Sequence, residues 1–347
     1  MFRKIKKENI VKIVEILMED YDVLAPVRKE ERFVFEKIKK PEEVILDYDT
    51  TILPPKKFLL PPIETMMKFD NSKIGIPENN KKTIFFGIHP CDLNAIMLLD
   101  MVEYDDYKDP YYIKKRENSI FVVVECKEAG EYCFCESMGT DVPKGYDLFL
   151  TDIGNYYFVE TGSRKGEKIV KNKLFENADK NEKIERKKNF VRKVNLENLE
   201  EILKEKFDDK IWEQLGDKCL ICGACSFVCP TCYCYSVKDV VGLTLKNGER
   251  NRVWDSCQLV DFARVAGGHN FRGKRSARVQ QFIYHKMLYF MEKYSSFACV
   301  GCGRCIRECP VDIDITDVTK KLRCNGKCQK HFPSILGKVS DFSVGGD

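Results

Sequence analysis

Two stretches of the chain repeat one arrangement of thiols. The first is Cys219-x2-Cys222-x2-Cys225-x3-Cys229-Pro230, and the second is Cys299-x2-Cys302-x2-Cys305-x3-Cys309-Pro310. At this spacing three thiolates of a run converge on three irons of a [4Fe-4S] cube, while the fourth ligates the cube held by the other run. The pattern predicts one cube on Cys219, Cys222, Cys225 and Cys309, and another on Cys299, Cys302, Cys305 and Cys229. The proline closing each run stops a helix and turns the chain away. Gly223, Gly301 and Gly303 suit loops whose backbone approaches sulfur closely. Structural zinc sites also use Cys-x2-Cys pairs, but a fourfold run ending in Cys-Pro, present twice, is a poor zinc pattern.

Four cysteines lie in the first half: Cys91, Cys126, Cys133 and Cys135. Cys91 closely follows the apolar run Thr83–Ile88, and Cys126 ends the run Ser119–Val124. If both runs are parallel strands, the two thiols emerge at one carboxyl edge, where open α/β sheets place their sites. Cys133 and Cys135 follow in the next loop. Spacing alone leaves two readings: a third cluster, or isolated buried thiols packing as small hydrophobes. Five cysteines remain, Cys232, Cys234, Cys257, Cys324 and Cys328. The first three read as packing residues or neighbours of the clusters, and the last two have no assignment.

Between the two runs, Arg250–Arg278 carries seven cations against two carboxylates. Arg252, His269, Asn270 and Arg272 form a candidate polar site, the last three in the glycine-bearing loop Ala266–Arg272. This basic stretch is either a stabiliser of anionic clusters or a dock for an acidic partner, or else an ordinary solvated face. His89 beside Cys91 reads as a neighbour, since thiols suffice as ligands. The chain contains no Gly-x-Gly-x-x-Gly after a strand, no P-loop and no Gly-x-Ser-x-Gly. Nothing supplies a nucleophile with its base, so electron transfer is the expected chemistry.

These groups need a frame. Thr83–Ile88, Asp92–Tyr104 and Ser119–Val124 read as strand, helix and strand, a connection that favours parallel pairing. Tyr21–Val27 and Arg32–Ile38 read as an antiparallel pair. Tyr146–Thr151 and Tyr156–Glu160 flank a turn signal and read as a hairpin. The segment 54–62, with four prolines, reads as extended. Residues 10–17 carry apolar side chains at helical spacing. Ala178–Lys193 reads as a solvated helix rather than a linker, and Asn195–Leu215 as an amphipathic helix. The expected organisation is an α/β domain over 1–177 (mixed sheet with a parallel βαβ unit), a charged helical linker over 178–217, and an α-helical ferredoxin-like domain with two [4Fe-4S] clusters over 218–347.

Composition sets the class. The 347 residues include 17 cysteines, 13 of them from Cys219 onward, in a chain far too long to need disulfide staples. The net charge of +4 excludes a strongly basic nucleic-acid binder. The amino-terminal apolar stretch is broken by Lys12 and Glu15, unlike a secretory signal, and no apolar run reaches membrane-spanning length. A cytoplasmic setting with free thiols is expected, and free thiols in this number point to metal.

The set Lys218–Cys225, Cys229–Tyr235, Arg252–Cys257, Ala266–Arg272, Cys299–Cys305 and Cys133–Thr140 resembles one group of iron–sulfur proteins. The group comprises the electron-transfer subunit of anaerobic sulfite reductase and the beta subunit of cytoplasmic sulfhydrogenases. The resemblance runs from about Leu24 to Pro310. Thr51–Phe58 resembles the sulfhydrogenase form, and Ser137–Thr140 leans toward the sulfite reductase form. The resemblance implies a subunit without a catalytic centre of its own. Such a subunit relays electrons between a flavoprotein that binds FAD and NAD(P)H and a catalytic subunit bearing siroheme or nickel–iron. FAD is then expected on a partner, not on this chain. The resemblance also favours a third cluster on Cys91, Cys126, Cys133 and Cys135, and gives Cys232, Cys234 and Cys257 a role beyond packing. Cys324 and Cys328 depart from the pattern. Alternatives are a stand-alone reductase using the 267–272 loop, or a zinc-binding structural protein.

Overall fold

A computed structural model describes residues 1–71, 73–77 and 81–324. Twelve strands are found among them: β1 (Phe2–Lys6), β2 (Asp22–Lys29), β3 (Arg32–Lys37), β4 (Ile63–Asp70), β5 (Lys73–Gly75), β6 (Thr83–Ile88), β7 (Ser119–Val124), β8 (Leu148–Asp152), β9 (Tyr156–Thr161), β10 (Phe175–Asn177), β11 (Tyr235–Val241) and β12 (Asn247–Trp254). Eight form a mixed sheet in the order β10-β1-β9-β8-β7-β6-β2-β3. Its centre, β8-β7-β6-β2, is parallel, and its outer pairs are antiparallel. The run of β-branched and aromatic residues in β7 is buried at every position. A strand covered on both faces needs no polar alternation.

The two faces of that sheet bury separate cores. Ile84, Phe86, Val122 and Val124 pack with Ile13, Val14 and Leu17 of the helix Ile10–Asp20. Phe85, Phe121 and Val123 pack with Leu93, Ile96 and Leu99 of the helix Pro90–Glu103. The alternation of neighbouring residues between cores is the period of two that a strand imposes. The helix Pro90–Glu103 is part of the β6–β7 crossover and begins at the carboxyl end of β6.

The second half is built around helices. Ile211–Lys218, Arg275–Tyr284 and Ile315–Arg323 contribute Trp212, Leu215, Phe282, Ile283, Val318 and Leu322 to a third core. Between the two cysteine runs lies a hairpin, β11–β12, which pairs through β12 with β4 to give the sheet β11-β12-β4-β5. Both halves of the chain thus contribute strands to one small sheet.

Three local expectations are corrected. Residues 54–62 are not wholly extended, because Pro55–Phe58 makes a 3-10 turn with Pro55 at its first position. There the missing N–H is an orphan in any helix and the fixed φ already suits the turn. Ala178–Lys193 is not a solvated helix. Apart from the short turn Lys180–Glu182 it has no regular structure and runs as a strap with Phe190 buried. Asn195–Leu215 is broken into Leu199–Glu205 and Ile211–Lys218. Among the described residues no helix is long and apolar enough to cross a membrane.

Candidate iron–sulfur centres

The cysteines of the two repeated runs gather in two neighbouring sets. In each run the chain turns through left-handed glycines, with Gly223 at φ 76° and Gly303 at φ 73°, and enters a single helical turn. Cys219, Cys222, Cys225 and Cys309 line one small apolar cavity of about 50 Å³, and Cys305 lines it as well. Cys229 instead sits with the other run and is an electrostatic neighbour of Cys299, Cys302 and Cys305. The fourth cysteine of each run therefore stands with the first three of the other.

Backbone N–H groups point at several of these sulfurs. Ile221 N lies 3.4 Å from Cys219 Sγ, Gly301 N 3.5 Å from Cys299 Sγ, and Ile313 N 3.2 Å from Cys309 Sγ. Such donors favour the thiolate and moderate the charge of a cluster. Burial opposes them: it pushes the Cys299 thiol up to about 12 and Cys302 to about 11. The free thiols of Cys299 and Cys302 therefore keep their protons, and a ligated metal takes the proton's place.

The four first-half cysteines meet at the carboxyl edge of the parallel strands. Cys91 lies in the first turn after β6, Cys126 lies just past β7, and Cys133 and Cys135 lie in the loop before β8. All four line one cavity, together with His89, Lys188, Phe190 and Cys302. Burial pushes Cys126 up to about 12, and both Cys91 and Cys135 also lie above the ordinary thiol range for the same reason. His89 is buried and stacked on Tyr48 at 3.8 Å between ring centroids. Its Nε2 has no hydrogen-bond partner among the described residues. Burial first, and then Arg304 and Lys188, hold it near 3, so this imidazole is neutral. The strap passes over this edge, where Lys188 pairs with Glu125 at 3.5 Å and Arg192 with Asp314 at 2.9 Å.

This edge is in direct contact with the second run. Phe134 N donates to Gly301 O at 2.7 Å, and Thr140 Oγ1 to Val300 O at 2.7 Å. A Cβ at Gly301 would stand 2.6 Å from Cys135 N, and one at Gly303 would overlap Tyr132 O. Only glycine permits an approach this close at positive φ. Among the described residues no three His, Cys, Asp or Glu side chains are grouped so as to hold a single metal ion. A cube presents irons at its corners, so its thiolates ring a space rather than meet at a point. The two sets of four soft thiols that each line a shared space, Cys219, Cys222, Cys225 and Cys309, and Cys91, Cys126, Cys133 and Cys135, fit that group.

Other predicted residues fall elsewhere. Arg252 is buried and held by the carboxylates of Glu64, at 2.5 Å, and Asp109. It lies apart from the loop, where His269 is exposed against Phe271 and Asn270 Oδ1 accepts from Arg272 N at 2.9 Å. Cys232 hydrogen-bonds Cys229, and Cys257 hydrogen-bonds Cys234. The bond from Cys232 holds Cys229 well below the thiol range, with the ammonium groups of Lys286 and Lys56 reinforcing it against burial. Cys328 lies outside the described residues. Four residues that motif spacing does not single out belong to the site: Lys56, Asp92, Lys286 and Arg304. The available signals are Arg304 inside a cysteine run, Asp92 beside Cys91, and Lys56 among prolines.

Known proteins resemble this chain in sequence across both cysteine runs. Residues 218–313 match the model of a 4Fe-4S dicluster domain. The chain is 37% identical over 334 residues to sulfhydrogenase 2 subunit beta of Pyrococcus furiosus, covering 92% of this chain and 98% of that protein. The chain belongs to the sulfhydrogenase beta-subunit family. A second relative is the F420-dependent formate dehydrogenase subunit beta of Methanocaldococcus jannaschii, 22% identical over 262 residues, covering 69% of this chain and 58% of that protein. No solved structure matches. Both relatives are named as beta subunits of oxidoreductases, and the family assignment supports an iron–sulfur electron-transfer subunit.

Proposed function

We propose that this chain relays electrons through three [4Fe-4S] clusters inside an oxidoreductase complex. The first cluster takes Cys219, Cys222, Cys225 and Cys309. The second takes Cys299, Cys302, Cys305 and Cys229, and the third Cys91, Cys126, Cys133 and Cys135. The observation that carries this reading is contiguity. Cys305 borders the cavity of the first set, and Cys302 borders the cavity of the third. The middle set thus adjoins both neighbours, and short separations of this kind favour stepwise outer-sphere transfer. Residues 1–177 supply the third centre, residues 218–347 the other two in a ferredoxin-like arrangement, and 178–217 connect them.

At one end the relay meets a flavoprotein subunit that binds FAD and NAD(P)H. At the other it meets a catalytic subunit, and the sulfhydrogenase relative favours the nickel–iron type over siroheme. The test is a complex assembled with and without this chain, in a strictly anaerobic preparation. Electron flow from NAD(P)H to the catalytic subunit should vanish without it, while each partner still turns over with a soluble dye. Undiminished flow, or substrate turnover by the chain alone, contradicts the proposal.

A further inference from the structure

Two ammonium groups lie in the interior of the molecule with no carboxylate beside them among the described residues. Lys286 is 2% exposed and Lys56 is 3% exposed. The titratable neighbours that favour the charged form of either are cysteines: Cys229 and Cys232 on both, Cys299 on Lys286 and Cys234 on Lys56. They outweigh burial at Lys286, while burial outweighs them and lowers Lys56. Burying an ammonium without a counter-charge is costly even after relaxation. A fold keeps two of them close together only against negative charge.

The contacts show where that charge belongs. Lys286 Nζ donates to Thr231 Oγ1 at 2.7 Å, and the same oxygen lies 3.2 Å from Cys229 Sγ. Thr231 also donates to Ala298 O at 2.7 Å, and Ala298 N donates to Lys286 O at 2.9 Å, one residue before Cys299. Lys286 sits on a single turn of π-helix, His285–Tyr289, set between the α-helical turns Arg275–Tyr284 and Phe290–Tyr294. Such bulges cost regular hydrogen bonding and occur frequently at functional sites. Lys56 is delivered by the proline-led turn, donates to Cys232 O and lies 4.6 Å from the centroid of the Trp254 ring. Arg304 is different: its charge is already met by Asp92.

We infer that Lys56 and Lys286 are the built-in counter-charge of the middle cluster, the one ligated by Cys229, Cys299, Cys302 and Cys305, and that they raise its reduction potential. The inference rests on the cluster assignment proposed above. Reduction adds one negative charge to a cluster, and fixed positive charge at this range stabilises the reduced form more than the oxidised one. The effect is local, because the hydrogen bonds of the two ammoniums go to Thr231 and to the carbonyl of Cys232, both within three residues of Cys229, and none goes to a group of the other two centres.

The experiment compares the full-length wild type with Lys286→Gln, Lys286→Arg and Lys56→Gln, all purified anaerobically. Iron content is measured first, and then the midpoint of each cluster by redox titration followed by EPR. The glutamine variants should keep wild-type iron, and one cluster should lose at least tenfold in its reduced-to-oxidised ratio at fixed potential, about 59 mV for a one-electron couple. The other midpoints should stay put, and Lys286→Arg should lie closer to wild type. Wild-type iron with every midpoint unmoved overturns the inference, as does an equal shift of all clusters. If Lys286→Gln loses a cluster, the Lys56→Gln titration decides by the same criteria. A wild type without iron is a distinct result, which removes the cluster assignment itself.

Discussion

Arg304 and Asp92 form a bidentate ion pair in the interior, with Nη1–Oδ1 at 2.6 Å and Nη2–Oδ2 at 2.8 Å. Arg304 stands between Cys302 and Cys305, while Asp92 follows Cys91. The pair therefore ties the second cysteine run to the sheet edge that holds the first-half thiols. Arg304 also donates from Nε to Thr51 O at 2.8 Å. Removing one partner of a buried pair leaves an uncompensated charge and costs about 3–5 kcal/mol. Asp92→Ala should lower stability by that amount in chemical denaturation, whereas a loss below about 1 kcal/mol would contradict the structural role given to the pair.

Cys133→Ser addresses the third centre separately. It should remove about one cluster's share of the iron, about a third of the total, and leave the other two clusters in place. Unchanged iron content would refute the assignment of Cys91, Cys126, Cys133 and Cys135.

Gly303→Ala tests the contact between the second run and the sheet edge. Its Cβ would overlap Tyr132 O at a backbone φ of 73°. Left-handed strain of about 1–2 kcal/mol adds to a clash with backbone that cannot rotate away. The variant should unfold at clearly lower denaturant concentration than Gly154→Ala. That substitution shares positive φ but meets nothing within 4 Å. Equal losses would show that the close approach carries no weight.

A buried carboxyl far from the thiols gives a pH signature. Burial, and then the neighbouring Asp109, raise Glu103 from 4.5 to about 7. The folded state therefore holds a proton that the unfolded chain releases. This contribution is complete below pH 4.5, drains away as the pH rises toward 7, and is gone above it. Glu103→Gln mimics the protonated form. It should match wild type near pH 4.5 and exceed it by about 1–3 kcal/mol at about pH 8, as followed by denaturation at the two pH values. The same difference at both would contradict the assignment.

The cysteine spacing picked out in advance the thiols that the fold gathers around two of its cavities, because the loop between ligands of a run is too short to scatter them. The apolar runs carried β6 and β7 to their residue limits, since a strand buried on both faces has a pattern few other elements share. What the sequence did not disclose is long-range. Nothing local in Glu64 or Arg252 says that β4 pairs with β12, and nothing local marks Lys56 or Lys286 as buried. The strap at 178–193 has helical composition, yet Lys188 and Phe190 line the cavity of Cys91, Cys126, Cys133 and Cys135. Tertiary contact overrides propensity there.

The central claim is that this chain carries iron–sulfur clusters that accept electrons. The most direct measurement is iron and acid-labile sulfide content together with EPR of the dithionite-reduced, anaerobically purified protein. About twelve iron atoms per chain, with signals from three reducible [4Fe-4S] clusters, is the predicted result. Zinc in place of iron, or iron that dithionite does not reduce, would contradict it.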